Sequence, residues 1–142
     1  MPITIQTTFD CIDCNTAALW WAEALEWEFE YLDPARFDEL KSAGFCTESD
    51  VVELPGGKLN WRDGAAIHNP ADPQSRIYFQ TVPEPKSVKN RVHIDLHVGP
   101  DSREATIDRL RGMVATFLNR NSQGPHEWAV MQDPEGNEFC VA

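Results

Sequence analysis

Positive charge is what this sequence most lacks. Its 142 residues carry 12 Lys and Arg against 23 Asp and Glu, a formal net charge of −11. Nucleic acid and anionic membranes are both recognised through clustered cations, so the deficit argues against either as a partner. Long apolar runs are missing as well. No window approaches the ~18 apolar residues of a spanning helix, and Met1–Gln6 places no basic stretch before an apolar one. The expectation is a cytoplasmic protein. Cysteine is sparse at four residues, which in that compartment are reduced thiols. Cys11 and Cys14 form a C-x-x-C, yet Asp10 and Asp13 oppose a thiolate there and no second pair exists to complete a zinc site. They read as two unrelated thiols.

What is present is the composition and length of one globular domain. Residues 3–11 are rich in Thr, Ile and Phe and read as a strand, after which Asp13 or Asn15 caps a helix. Ala17, Trp20, Trp21, Ala24 and Leu25 recur at helical spacing, and both tryptophans read as core. From Glu26 the period changes to two. Trp27, Phe29 and Tyr31 alternate with Glu28 and Glu30, a strand with a solvated acidic face. Asp33-Pro34 opens a short helix that Gly44 stops. Pro55-Gly56-Gly57 and Asp63-Gly64 are turns between strands near 50–54, 58–62 and 65–68, and residues 75–82 form another strand. Residues 91–98 (RVHIDLHV) alternate cleanly as a strand. Asp101 with Glu104 makes a capping box for a helix ending at Gly112. Strands near 113–118, 127–132 and 137–141 follow, the last two joined by a type I turn at Asp133-Pro134-Glu135-Gly136.

The order strand, helix, strands thus occurs twice. Gln6-Thr7-Thr8-Phe9-Asp10 lies on His93-Ile94-Asp95-Leu96-His97, and an Asp-Pro precedes the last strand of each half. The expected architecture is α+β: two βαβββ modules, about 1–85 and 86–142, forming a curved mixed sheet. Alternation places Gln6, Thr8 and Asp10 on one face of the first strand, and His93, Asp95 and His97 on the matching face of its counterpart. Two such polar faces curled together would make a shared cup.

The paired pattern, the segment KNRVHIDLHV (89–98) and the ending WAVMQDPEGNEFCV (128–141) resemble the vicinal oxygen chelate superfamily. That superfamily includes glyoxalases, extradiol dioxygenases and bleomycin-resistance proteins. The resemblance covers nearly the whole chain, residues 33–62 matching poorly, and Glu26 stands where a glycine usually ends the first helix. It implies a single glyoxalase-like domain. Metal-dependent members carry a ligand on the first and last strand of each module, positions that fall here on Gln6, about Gln80, His93 and Cys140. Gln6 and His93 fit that pattern. Gln80 and Cys140 depart from it, because carboxylates stand at both places. A Gln-Gln-His-Cys set is poor for manganese or magnesium and conceivable only for zinc. No metal ligand and no cofactor is therefore assigned, a divalent ion (Zn, Ni, Mn or Fe) being the alternative, with Asp95 or Asp10 able to shift the site.

The resemblance also implies a small-molecule ligand. As an enzyme the protein would be a lyase, isomerase or dioxygenase with His93 or Asp95 as the acid/base group. As a binding module it would sequester its ligand. Gln6, Thr8, Asp10, Gln80, His97, Met131 and Cys140 would line the cup. His68 reads as loop and His126 as a rim residue, while Lys86, Lys89 and Arg91 form the one basic cluster able to attract a carboxylate or phosphate. Unpaired sheet edges favour a homodimer.

Overall fold

Aspartates set the start of the first two helices. Asp13 accepts a hydrogen bond from the Thr16 N–H and opens α1 (Cys14–Leu25). Asp33 does the same for the Ala35 N–H and opens α2 (Pro34–Ser42), whose first residue is the proline that needs no partner there. Helix α1 ends on Glu26, which takes a left-handed conformation at φ 57°. A glycine would adopt that conformation freely, so a side chain there costs about 1 kcal/mol. The computed structural model describes all 142 residues, Met1–Ala142. The chain divides into two compact units, Met1–Pro85 and Lys86–Ala142.

The first unit holds β1 (Thr7–Cys11), α1, β2 (Glu28–Phe29), α2, β3 (Val51–Leu54), β4 (Lys58–Trp61), β5 (Gly64–Asn69) and β6 (Asp72–Thr81). Its four-stranded sheet runs in the order β1-β6-β5-β2. Only the β1–β6 pair is parallel. One face carries α1, and Trp21 is sealed there edge-on against Phe9 at 5.5 Å, with Phe79 against Phe9 at 5.4 Å. Strands β3 and β4 form a separate hairpin under α2, closed by Leu32, Phe37 and Val51. The buried Asn60 ties the hairpin to α1 by donating to Asn15 Oδ1 at 2.7 Å.

The second unit holds β7 (Ile94–Leu96), α3 (Pro100–Gly112), β8 (Thr116–Gln123), β9 (His126–Gln132) and β10 (Glu138–Val141). The order is β7-β10-β9-β8, with β7 and β10 parallel. Helix α3 covers one face through Ile107 and Leu110, with Ala129, Met131, Phe139 and Val141 buried in the sheet. The Asp133–Gly136 turn forms as its composition dictates. Gly136 N–H donates to Asp133 O at 2.9 Å, and the Asp133 carboxylate accepts from the N–H groups of Glu135 and Asn137.

Several expectations need correction. The first strand begins at Thr7, not residue 3, so Ile3 and Ile5 stay exposed. Strand β2 is only two residues long, and Glu30 beyond it is no solvated carboxylate: Arg76 Nε donates to it at 2.9 Å. Strand β7 spans Ile94–Leu96 because its ladder with β10 is three pairs long. Asp101 and Glu104 form no capping box. Pro100, preset for a first helical turn, starts α3 two residues earlier from Gly99 and leaves Asp101 inside that turn. Strand β8 begins at Thr116, after a turn in which Val114 is left-handed at φ 73°.

Candidate functional site

Alternation on three neighbouring strands builds one wall of a cavity in the second unit. On β7 and at its two ends the odd positions His93, Asp95 and His97 line the cavity. On β10 the register sets Cys140 beside Asp95, and Glu138 lies two residues earlier on the same face. On β9 Val130 pairs with Cys140, and Trp128 precedes it by one pleat. Pro125 and His126, at the β8–β9 turn, and Gly99, Pro100 and Arg103, at the start of α3, complete the boundary. The cavity is open on one side, has a volume of about 640 Å³, and most of its surface is apolar. That size suits a small organic ligand.

The polar groups are organised around Asp95. His93 Nδ1 lies 3.2 Å from Asp95 Oδ1. A carboxylate only accepts, so Nδ1 is the donor in this contact. Burial pushes the Cys140 thiol up to about 11, reinforced by the negative charge of Asp95 and by the hydrogen bond the thiol gives it, with Lys89 opposing. Cys140 is therefore a protonated thiol near neutral pH. Glu138 is 8% exposed, and burial on its own would raise its pKa. The Lys86 ammonium at 2.9 Å, the Asn90 N–H at 3.1 Å and its own N–H outweigh this and hold it at about 2. The ionised Glu138 thus clamps the 86–90 segment beside the cavity.

One donor atom from each of His93, Asp95 and Cys140 falls within 4.8 Å of the others. Ligand atoms around a tetrahedral zinc stand roughly 3.3–3.8 Å apart, so small side-chain rotations would close the group. Imidazole, carboxylate and thiol together fit a borderline ion such as zinc and suit manganese or magnesium badly. The sequence pattern implied a site without a carboxylate; Asp95, on the strand beside Cys140, supplies one.

The other anticipated residues are placed as follows. Gln6, Thr8, Asp10 and Gln80 belong to the first unit and are exposed. Asp10 stands beside Gln80 across β1 and β6. Gln6 Oε1 is occupied, accepting from Arg76 Nη1 at 2.6 Å. Met131 was expected in the cup, but it is fully buried on the α3 face beside Phe139, one pleat out of phase with Val130 and Cys140. His97 and His126 line the cavity. His68 is in β5, held between Glu28 at 3.2 Å and Glu30 at 3.3 Å, and is no loop residue. Sequence reasoning missed Arg103, Trp128, Val130 and Glu138. The two-residue phase linking Cys140 to Glu138, carried across to β9, was the available signal.

Comparison with known proteins places the fold. Residues 6–142 match the profile of a family described as Glyoxalase-like domain. Comparison with curated proteins finds no sequence match. Among solved structures the chain is similar to the fosfomycin resistance protein FosX from Listeria monocytogenes, complexed with Mn(II) and sulfate, at TM-score 0.64 and 9% identity over 99% of this chain and 89% of that one. A possible glyoxalase from Bacillus cereus gives TM-score 0.62 and 8% identity over 99% and 98%. The bleomycin-binding protein of Streptomyces verticillus, complexed with copper(II)-bleomycin, gives 0.55 and 11% over 100% and 96%. At such identities the likeness concerns the fold alone.

Proposed function

The chain belongs to the Glyoxalase-like domain family, within the vicinal oxygen chelate superfamily, and from that premise we propose that its second unit houses a small-molecule site where His93 and Asp95 perform proton transfer. The supporting observation is the convergence of His93, Asp95 and Cys140 on the wall of the 640 Å³ cavity. Asp95 holds His93 in one tautomer and offsets the charge that imidazole gains on accepting a proton at Nε2. Apolar walls at Pro125, Trp128 and Val130 bind the body of the ligand and exclude water. With a zinc-type ion bound, His93, Asp95 and Cys140 would serve as its ligands in place of that proton transfer, and the ion would supply Lewis-acid polarisation of a ligand oxygen. Such a site fits a glyoxalase-like lyase or isomerase better than a redox enzyme that needs a hard-ion carboxylate pair.

Cobalt(II) titration tests the site. Binding through Cys140 gives an intense near-ultraviolet sulfur-to-cobalt band that Cys140→Ser abolishes and zinc competes away. A protein that binds no cobalt, or binds it without that band, removes the metal part of the reading. Proton transfer is tested separately. His93→Ala and Asp95→Asn should each slow turnover of an isomerisable small-molecule substrate by roughly 10²–10⁴-fold.

A resistance-type sequestration protein is the second reading. Two features favour it: the mostly apolar cavity and a Cys140 that stays protonated without metal. It predicts tight ligand binding with no turnover and no loss of affinity in Asp95→Asn. Pairing of two copies through a sheet edge belongs to the same proposal, and a single monomeric species in sedimentation velocity would remove it. No helix is long and apolar enough to cross a membrane.

A further inference from the structure

Every carboxylate on the cavity wall already has a partner. Asp95 accepts from His93, Glu127 accepts from Arg103 at 3.1 Å, and Glu138 accepts from Lys86. Lys89 on the same wall is paired with no carboxylate. Its ammonium donates only to the Asn90 carbonyl, at 3.1 Å, which leaves most of its donor capacity unused. Lys89 lines the same cavity as His93, Asp95 and Cys140. Arg103 is the second cation of the wall. Its side chain is 12% exposed, Glu127 takes Nη1, and the buried Nε has no acceptor. The guanidinium is therefore not saturated by the protein. In a chain of net charge −11, a cavity bearing one unpaired and one half-satisfied cation is a local exception.

Trp128 supplies the other half of the argument. Its indole lines the cavity half-exposed and makes no ring pair or hydrogen bond within the protein. A broad unpartnered aromatic face, flanked by Pro125 and Val130, favours a flat unsaturated body. We infer that the occupant of this cavity is a flat organic anion, its charged oxygens held by Lys89 and its apolar body laid against Trp128. This rests on the reading of the cavity as a small-molecule site and names the chemistry of what enters it. A carboxylate and a phosphate share that chemistry.

Calorimetric titration with 2-naphthoate, 2-naphthyl phosphate and neutral 2-naphthamide tests the inference. The full chain is used with a chelator present, so that no metal supplies the positive charge. The anions should bind roughly tenfold or more tightly than the amide, the scale of a charge-assisted hydrogen bond. The tighter of the two anions identifies the group. Lys89→Met should erase that gap while leaving amide affinity unchanged. Lys58→Met, which removes the same charge from the other unit, should leave the gap intact. Trp128→Leu should weaken all three probes, with Trp128→Phe as the variant to use if that protein does not fold. Equal or weaker binding of both anions, or a gap that survives Lys89→Met, overturns the inference and leaves the small-molecule site standing. Failure of every probe to bind folded wild-type protein at millimolar concentration overturns that site as well.

Discussion

Glu138→Gln separates the charge on a buried cavity residue from its shape. Glutamine keeps the size of the side chain and an acceptor for the Asn90 N–H, but it gives up the ion pair with Lys86 at 2.9 Å. The carboxyl lies at about 2 in the folded protein against an ordinary 4.5. At 1.36 kcal/mol per pH unit this corresponds to about 3 kcal/mol of stability. Lys86 keeps 19% of its side-chain surface in water, and screening reduces the expected loss to about 2 kcal/mol. The pH dependence carries a definite sign. A depressed folded-state pKa stabilises at pH values above 4.5, where the carboxyl is ionised in both states, and that contribution is lost as pH falls through 4.5 towards 2. Less than about half of it remains at pH 3. Urea unfolding of both proteins, followed by circular dichroism at pH 7 and pH 3, measures the difference directly. Every other carboxylate cancels between the two proteins. A loss near zero at pH 7, or one just as large at pH 3, would refute the assignment of Glu138 as an ionised clamp.

Two further outcomes follow from close contacts and thiol chemistry. Gly64→Ala should destabilise the first unit by about 1–3 kcal/mol, because a Cβ there collides with the Tyr78 hydroxyl across the β5–β6 pair. Tyr78→Phe should recover part of that loss in the double variant, and thermal unfolding that finds simple additivity would contradict the clash. Iodoacetamide at pH 8 should label Cys46 before Cys140, since only about one in a thousand Cys140 thiols is ionised three units below a pKa of about 11. Asp95→Asn removes the charge that opposes the thiolate and should speed Cys140 labelling, which peptide mass spectrometry follows residue by residue.

Most local patterns in the chain were readable, the Asp101–Glu104 capping box being the exception, and distant pairings were not. The Asp13 and Asp33 caps, the Pro34 start and the Asp133–Gly136 turn each depend on residues within four positions of one another, and all formed as expected. The contact between His93 and Asp95 is local too, two residues apart on one strand face. Met131 shows where such reading stops. Its type suits a ligand cup as well as a core, and only the phase of β9 against β10 places it with Phe139 on the helix side. The exposed ends of the strands failed for a related reason, since residues 3–6 have strand-like side chains but no neighbour to pair with.

Asp95 is the instructive case. By pattern, the ligand position on the last strand of the second module lacks a carboxylate, because Cys140 stands where the resembled enzymes have one. The missing group lies one strand away, brought to Cys140 by the parallel register of β7 and β10. Both residues face the same cavity, so the exchange keeps an acidic oxygen at the site and adds a sulfur beside it. That addition changes the chemistry available. A carboxylate and imidazole alone suit harder ions, whereas a thiol that must release its proton at about 11 selects an ion that binds sulfur strongly enough to displace it. Metal affinity at this site should then rise with pH, as the thiol proton becomes easier to lose. Zinc or cobalt titrations at pH 6 and pH 8 measure that dependence, which Cys140→Ser should flatten. An equally steep rise in Cys140→Ser would place the released proton elsewhere and remove sulfur from the site.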